Sequence, residues 1–488
     1  MLETVREFAA ERLIESGEEE ATRDAHAEFF AVVAEQARTG MEGPDETAWH
    51  VRLTAEHANV RAALGWLLER REAETALAMA VGVRRFWEFR YHYAEGIAWL
   101  ERALSAVGPA PTRVRGWGLR SLSNLVFVSG DAPRAAALAE EALAIFRSEG
   151  DDAGVSIALA SLAIVRTALG EVAAARAAAE EGLAVSRRIG DTRGEAFALR
   201  GIGFAASVAG DLPAAAIAHE TALAAFRQLG EHWAVLSTLT ELGWVEMRQG
   251  NLRRARELGE EAKDQSRAEA DLPLEHYADI LLGRVALEQG ELDRADGLLT
   301  GATDGFAALG EDVWAATSAL TLAAVAARNG EPERARKLAV RAVSVHRASG
   351  TPIVRAEALM EAAGVLADLG DVPAAASLFA EALGLTRSGE FRLVETEAIE
   401  GMAWVATAIG DATRAARMLG AAAAMREATE GGMPPSLRRR LEATEATARA
   451  ALGADAFAAA SAAGRTLGQE AAAAEALELT RGLAAGAD

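Results

Sequence analysis

The stretch LGRVALEQGELDRADGLLTGA, residues 282–302, decides the fold, because it holds one full set of a pattern that recurs along the chain. Gly290 has small residues around it: Gly283 seven positions before it, and Ala295 and Ala302 five and twelve positions after it. Small residues at such sites on two successive helices let the helix backbones cross closely. The stretch therefore predicts two helices that are joined by a glycine turn and packed against each other.

The pattern recurs eight times, at every fortieth position, without a slip in register. The turn glycines are Gly130, Gly170, Gly210, Gly250, Gly290, Gly330, Gly370 and Gly410. A second set falls about halfway between them: Gly150, Gly190, Gly230, Gly310, Gly350 and Gly389. A fixed period of about 20 to 50 residues is typical of a solenoid. We therefore predict an all-α solenoid of helix hairpins, with about 40 residues per repeat and no strands.

The same glycines predict where the helices end. Glycine suits the left-handed position just past a helix end, and an acid after it caps the next helix. The expected caps are Asp131, Asp151, Asp191, Asp211, Asp371 and Asp411. The first turn of a helix tolerates proline, and we expect to find there Pro133, Pro213, Pro332 and Pro373.

Composition removes several classes of function. The 488 residues include 50 Lys+Arg and 72 Asp+Glu, and the net charge of −22 argues against direct nucleic-acid binding by this chain. The absence of cysteine excludes disulfides, thiolate nucleophiles and cysteine-ligated zinc. The sequence has no run of about 18 apolar residues, which is the length that a membrane-spanning helix needs.

The order of small residues, with intervals of twelve and then seven, resembles the tetratricopeptide repeat (TPR), whose usual period of thirty-four is lengthened here to forty. The resemblance implies a right-handed superhelix. We expect eight repeats over residues 111–430, an irregular helical cap and junction over 1–110, and a helical C-terminal cap over 431–488.

Both ends of the chain resemble a second family. At the N-terminal end the resemblance is carried by LETVREFA (2–9), GEEEATRDAHAEFF (17–30), EHANVRAALGW (56–66), RFWEFR (85–90) and GIAWLERAL (96–104). At the other end it is carried by LGAAAAMRE (419–427), MPPSLRRRLEA (433–443) and LGADAFAAASAAGRTL (452–467). These stretches are similar to the region after the nucleotide-binding core in bacterial STAND-type regulators, including LuxR-type ATPase regulators of the MalT-like sort.

In that family a nucleotide switch precedes a repeat array that senses an inducer or partner, and some members carry a DNA-binding domain. A P-loop needs Lys-Ser or Lys-Thr, but here Lys263 precedes Asp264 and Lys337 precedes Leu338. The resemblance therefore implies a C-terminal sensor region, cut from a larger regulator or encoded as a truncated relative. A nucleotide-binding module of the parent regulator is an expected partner, and the expected location is the cytoplasm.

Catalytic and metal-binding patterns are weak. His219-Glu220 lacks a second histidine one turn on, so no metal site, cofactor or enzymatic activity is expected. Paired acids such as Glu140-Glu141 and Glu180-Glu181 recur at the repeat period, as a solvated helix face would. The basic run Arg438–Arg440 is interpreted as a solvated face, with an anion site as the alternative.

In TPR arrays the first helix of each pair lines the concave groove, at positions about thirteen, ten, six and three before the turn glycine. Those offsets select as candidate groove residues Trp117, Arg120, Asn124, Phe127, Phe197, Arg200, Phe204, Trp244, Met247, Tyr277 and Arg284. Aromatic and arginine side chains suit an anionic or aromatic ligand. The alternative is that the aromatics only widen the packing between repeats.

A second aromatic concentration lies earlier in the chain, in Trp49, Trp66, Phe86, Trp87, Phe89, Tyr91, Tyr93 and Trp99. We interpret it as a junction core, with a ligand pocket as the alternative.

The favoured function is a non-catalytic sensor or interaction domain of a signal-responsive bacterial transcriptional regulator. The groove is expected to bind a small molecule, peptide or protein. The alternative is a stand-alone TPR scaffold that mediates protein–protein interaction.

Overall fold

The computed structural model describes residues 12–89, 92–269, 271–386, 390–429 and 432–485. Across these ranges it contains twenty-four α-helices with described bounds and no β-strand. The first five are α1 (Glu19–Gly40), α2 (Glu46–Glu69), α3 (Ala73–Gly82), α4 (Arg84–Phe89) and α5 (Tyr93–Val107). The last three are α22 (Pro435–Leu452), α23 (Ala454–Arg465) and α24 (Gln469–Ala485).

Sixteen helices between these ends form eight successive pairs. The first helices are α6 (Arg113–Val128), α8 (Asp152–Leu169), α10 (Thr192–Ala209), α12 (His232–Gln249), α14 (Leu272–Gln289), α16 (Asp312–Arg328), α18 (Pro352–Asp368) and α20 (Arg392–Ala408). The second helices are α7 (Ala132–Glu149), α9 (Val172–Ile189), α11 (Leu212–Leu229), α13 (Leu252–Ala268), α15 (Leu292–Ala308), α17 (Pro332–Ser349), α19 (Val372–Thr386) and α21 (Ala412–Thr429).

The turns lie where the glycines predict them. All eight glycines of the series from Gly130 to Gly410 have φ between 75° and 100°. The predicted caps Asp131, Asp151, Asp211, Asp371 and Asp411 each accept a hydrogen bond from a backbone N–H three residues on; Asp371 Oδ1, for example, accepts from Ala374 N over 3.2 Å. The four prolines lie in the first turns of their helices.

Gly350 departs from the predicted left-handed turn and is extended, with φ −80° and ψ 144°. The next helix begins at Pro352, and a residue before proline is held away from the helical region. Thr351 is accordingly extended, at φ −62° and ψ 159°, and the chain leaves α17 in this conformation. Gly389, in the same series, lies outside the described residues.

The predicted packing positions are buried throughout the array. The alanines five residues after the turn glycines, from Ala135 to Ala415, are all 0% exposed. A Cβ atom added to Gly283 would come within 2.6 Å of Leu299 Cγ, so α14 and α15 need glycine at their crossing. Ser123 in α6 fits the same kind of crossing, and its hydroxyl donates to the Ala135 carbonyl over 2.8 Å.

The chain divides into two compact units. Unit 1 comprises the described residues up to 161, with 185–193 and 226–232. In its core Trp87 is 0% exposed and Phe86 is 2% exposed. Trp49 and Trp66 instead lie under arginine side chains, with the Arg52 guanidinium 4.7 Å from the Trp49 ring centre. Tyr91, from the same aromatic cluster, lies outside the described residues.

Unit 2 comprises 162–184, 194–225 and the described residues from 233 onward. Its apolar core runs between successive hairpins and continues into α22, α23 and α24, where Ala448, Phe457 and Ala473 are buried. In the described part of the chain α8 alone is long and apolar enough to cross a bilayer, and 67% of its apolar window is buried within the fold. A mostly buried helix of this kind is ordinary in a protein core.

Candidate ligand groove

The first helices lie on the inner side of unit 2. Arg248 of α12 donates from Nη2 to Glu357 Oε1 of α18 over 2.7 Å, although 109 residues separate them. Helices that are three repeats apart can touch in this way only if the array curves tightly around their shared face. Their inward faces therefore form the concave surface of unit 2, here called the groove.

The second helices form the outer layer. Arg294 of α15 pairs with Glu260 of α13 over 2.8 Å, and these residues are 34 positions apart. Arg347 of α17 likewise pairs with Glu381 of α19 over 2.9 Å. Each pair joins neighbouring repeats, and all four side chains are at least 36% exposed.

The winding of unit 2 brings distant turns together. The Glu390 backbone N–H donates to the Gly170 carbonyl over 2.9 Å. Ala173 N, at the start of α9, donates to Glu390 Oε2 over 2.6 Å across a separation of 217 residues. That separation lies between five and six periods of the repeat.

Two of the predicted groove arginines are already engaged by carboxylates. Arg200 makes a bidentate contact with Glu241, at 2.9 and 2.6 Å, and its guanidinium lies 5.0 Å from the Trp233 ring centre. Arg284 forms an ion pair with Glu361. Thr321 joins this second pair by donating its hydroxyl to Glu361 Oε1 over 2.9 Å.

The predicted aromatic residues of unit 2 are half-buried along the same first helices. Phe197 and Phe204 lie on α10, and Trp244 packs against the core between α12 and α14. Tyr277 makes an edge-on contact with Trp314, with ring centres 4.7 Å apart. Met247 is only 4% exposed, so its side chain belongs to the core rather than to the groove surface.

The pKa of the Tyr277 hydroxyl is influenced by charged groups on several first helices. Burial raises its pKa well above the usual range, and the nearby charges of Glu241 and Glu357 act in the same direction, against Arg200. Four first helices, α10, α12, α14 and α18, therefore bring charged or hydroxyl-bearing groups within electrostatic reach of one another.

Carboxylates are prominent on the inner face of the later repeats. Burial raises the pKa of Glu357, and Arg248 opposes this, while 43% of the Glu357 side chain stays exposed at the groove surface. Glu400 is 4% exposed and pairs with Arg426 at 2.8 and 2.6 Å. For Glu397 the structure shows no hydrogen bond or ion pair among the described residues.

Unit 1 holds the remaining four candidates, all on α6 and all half-buried. Trp117 packs edge-on against Phe146 with ring centres 5.2 Å apart. Arg120 Nε has no hydrogen-bond partner among the described residues. Burial lowers the pKa of Arg120 well below its usual value, and the positive charges of Arg84 and Arg193 add to the effect. Asn124 and Phe127 continue the same face toward the helix end.

The structure makes His219 a packing residue. It is 1% exposed and lies against Gly203, where an added Cβ would meet the imidazole ring at 2.8 Å. Burial lowers the His219 pKa, although Glu241 opposes this from 3.7 Å. Within the described ranges no group of three or more His, Cys, Asp or Glu residues could hold a metal ion.

One residue of the basic run Arg438–Arg440 contacts an acidic side chain. Arg440 Nη2 donates to Asp368 Oδ1 over 2.8 Å and to the Gly364 carbonyl over 3.3 Å. Arg438 and Arg439 are exposed.

Comparison with known proteins agrees with this architecture. The tetratricopeptide repeat family matches residues 235–264. A Rap protein in complex with competence and sporulation factor aligns with a TM-score of 0.56 at 11% identity, covering 75% of this chain and 98% of that one. The chain is a TPR-like α-solenoid.

Two further likenesses are more limited. HTH-type transcriptional regulators of Mycobacterium tuberculosis and Mycobacterium bovis are 30% identical over 169 residues, or 33% of this chain. The match spans only about a fifth, 19%, of the length of those relatives. A STAND protein with a tetratricopeptide repeat sensor, from Pyrococcus horikoshii, aligns at 15% identity over 64% of this chain and 49% of its own. Its TM-score is 0.44.

Sequence reasoning left out four glutamates of the first helices, two at offsets that it used and two at an offset that it did not use. Glu357 and Glu397 each lie thirteen positions before a turn glycine, so the offset rule itself selects them. Sequence reasoning did not select them, because an anionic or aromatic ligand favours aromatic and arginine side chains. Glu241 and Glu361 lie nine positions before the turn, at a place that the four offsets leave out.

Proposed function

We propose that the groove of unit 2 is the recognition surface of a sensor domain that belongs to a larger transcriptional regulator. It binds a peptide or another partner through the inward faces of the first helices. The observation that carries the proposal is that three ion pairs, Arg200–Glu241, Arg248–Glu357 and Arg284–Glu361, link four first helices on one surface, with Arg200 also lying over the Trp233 ring. Such convergence of polar and aromatic groups in a concavity is typical of a binding site.

Two comparisons support this assignment. The Rap protein with a similar fold was crystallised in complex with competence and sporulation factor. The mycobacterial relatives are HTH-type regulators, and the chain matches part of them. In the parent regulator a nucleotide-binding module would precede the array. The domain would act in the cytoplasm without catalysis.

The ion pairs define the chemistry that a ligand would meet. Arg200 and Arg284 are held by glutamates, so an anionic group would have to replace Glu241 or Glu361 as their partner. A cationic group would instead meet Glu397 without such an exchange, whereas Glu357 already pairs with Arg248. A basic ligand is therefore favoured in unit 2. In unit 1 Arg120 remains the groove candidate suited to an anion.

Binding at these residues would act on the winding of the array. Arg248–Glu357 and Arg284–Glu361 join repeats that are three and two apart, so they hold the pitch of unit 2. A ligand that replaces one partner of such a pair would bind the array more tightly at one pitch than at another. Such a difference in affinity between two geometries is what a signal to an attached module requires.

The test is a library of immobilised peptides of about ten residues, probed with the full chain. Tyr277→Ala/Glu397→Gln removes an aromatic contact and the free carboxylate from the groove. Arg253→Ala, on the outer helix α13 with its side chain 93% exposed, is the matched control. We expect capture of basic peptides by the wild type and the control, and loss of capture by the groove variant. Equal capture by all three proteins, or no capture at all, would contradict the proposal.

A further inference from the structure

The chain already places one of its own segments against the groove of unit 2. Residues 432–440, here called the C-terminal segment, lead from an extended Pro434 into the first turns of α22. A Cβ atom on Gly432 would come within 2.4 Å of Gln249 Cα and 2.9 Å of the Arg248 carbonyl. Only glycine allows the backbone to lie this close to the end of α12.

The segment then makes polar contacts with the ends of two more first helices. Ser436 donates from its backbone N–H to Glu288 Oε2 over 2.9 Å and from its hydroxyl to Glu288 Oε1 over 2.5 Å. One turn later Arg440 binds Asp368 and the Gly364 carbonyl at 2.8 and 3.3 Å. The two carboxylates, Glu288 and Asp368, are here called the acidic edge. It receives a hydroxyl and a guanidinium that are four residues apart on one helix.

The acidic edge complements the segment electrostatically. Ser436 stands in the first turn of α22, whose free N–H groups favour a carboxylate. Asp368 is the last residue of α18, where the partial negative charge of the helix end favours an arginine. Glu288 is 6% exposed, so Ser436 supplies the hydrogen bonds that this buried carboxylate needs.

The segment contributes no fully buried side chain to the fold, although its apolar residues are half-buried. None of residues 432–443 is buried, and the buried residues of α22 are Thr444 and Ala448. A stretch with few buried apolar contacts opens at a lower free energy than the core that follows it. The C-terminal segment can therefore leave the acidic edge while the rest of α22 stays packed.

We propose that the acidic edge is a binding surface for basic peptides, and that the C-terminal segment is a displaceable internal occupant of it. This inference rests on the proposed function, since it names the ligand as a peptide with serine and arginine four residues apart. A partner peptide of this kind gains Glu288 and Asp368 when it displaces the segment. An occupant within the chain reduces the apparent affinity for the partner by the fraction of molecules in which the edge is closed.

The first part of the test needs no ligand. Hydrogen exchange of the backbone N–H groups of residues 436–442 is measured in the full chain, since Pro434 and Pro435 have none. In Arg440→Gln and Ser436→Asp we expect exchange to rise about tenfold, because charged hydrogen bonds are lost or a second carboxylate faces Glu288. Arg438→Gln, the same change at an exposed position two residues away, should leave the rate as in the wild type. Equal rates in all the variants would overturn the internal occupant.

The second part uses a labelled peptide copy of residues 431–442, GGMPPSLRRRLE, added to the full chain. Ser436→Asp should bind this peptide at least about tenfold more tightly than the wild type, because its acidic edge is open. Adding Glu288→Gln to Ser436→Asp should remove that gain. Glu288→Gln alone should speed exchange as Ser436→Asp does, so the result does not depend on the fold of one variant.

The two parts separate the failures. If exchange rises but no variant binds the peptide, the acidic edge is no peptide site, and capture of library peptides through Tyr277 and Glu397 decides the proposed function by itself. Equal peptide binding by the wild type and Ser436→Asp would overturn the competition.

Discussion

Arg248 and Glu357 form a hydrogen-bonded ion pair over 2.7 Å between α12 and α18, three repeats apart. The contact ties the inner faces of distant first helices to each other. The pair therefore depends on the curvature of unit 2. It lies on the groove surface that we propose binds a ligand.

The first prediction concerns the strength of this pair. A double-mutant cycle with Arg248→Ala and Glu357→Ala should give a coupling free energy of about 0.5–1 kcal/mol in urea unfolding. The value is small because the side chains are 24% and 43% exposed, so solvent screens their charges. Raising the salt concentration should lower the coupling. A coupling of zero at low salt would show that the two side chains do not meet.

The second prediction concerns the helix crossings. Ala295→Leu adds three carbon atoms at a site that is 0% exposed, and overpacking of this kind costs about 1–3 kcal/mol of the free energy of unfolding. Ala307→Leu, at an exposed position of the same helix, should change it by less than about 0.5 kcal/mol. Chemical denaturation of both variants checks the contrast. Equal losses would mean that Ala295 does not lie at a close crossing.

The third prediction concerns the pair of Arg426 and Glu400, whose side chains are 11% and 4% exposed. Burial raises the pKa of Glu400, and Arg426 holds the carboxylate charged by opposing this. Arg426→Ala should cost about 3–5 kcal/mol of stability, since it leaves an unpaired buried carboxylate. Arg426→Leu/Glu400→Leu should recover much of that loss. A double variant as unstable as the single one would contradict the buried-pair account.

The fourth prediction concerns pH. Burial lowers the pKa of His346, which is 1% exposed, from 6.5 to about 4. As the pH falls from 6.5 toward 4, the unfolded chain takes up a proton at this histidine before the folded chain does. The contribution of neutral His346 to the free energy of unfolding is therefore fully present above pH 6.5. It falls by roughly 3 kcal/mol as the pH drops to 4.

His346→Gln should remove that part of the pH dependence, so its stability should fall less steeply than that of the wild type between pH 6.5 and 4. Histidine NMR signals, assigned with the variant, should show His346 neutral at pH 5. A titration of His346 near pH 6.5 would contradict the prediction.

Much of the fold could be predicted from local sequence. Turn glycines and packing alanines act within one hairpin, so their regular period predicts the positions of the turns and the buried sites such as Ala295. Gly350 is an exception, because Pro352 two residues later demands an extended approach. The sequence shows both the glycine period and Pro352, but the prediction for Gly350 followed the period.

The groove was less accessible to sequence reasoning. The partner of Arg284 is Glu361, 77 residues away, and that choice depends on the pitch of the array. No local pattern gives the pitch. The contact of Ser436 with Glu288 across 148 residues is a still more distant case. Met247 was predicted to line the groove, but its side chain is 4% exposed and packs with Leu281 and Val285 in the core.

The convergence of α12 and α18 on one groove is tested most directly by cross-linking, because the chain has no cysteine of its own. Cysteines in place of Arg248 and Glu357 are treated with a short bifunctional thiol reagent. The structure predicts rapid intramolecular cross-linking of this pair and none when Arg253→Cys, on the outer helix, replaces Arg248→Cys. Failure of the Arg248→Cys/Glu357→Cys pair to cross-link, or equal cross-linking of the two pairs, would contradict the groove.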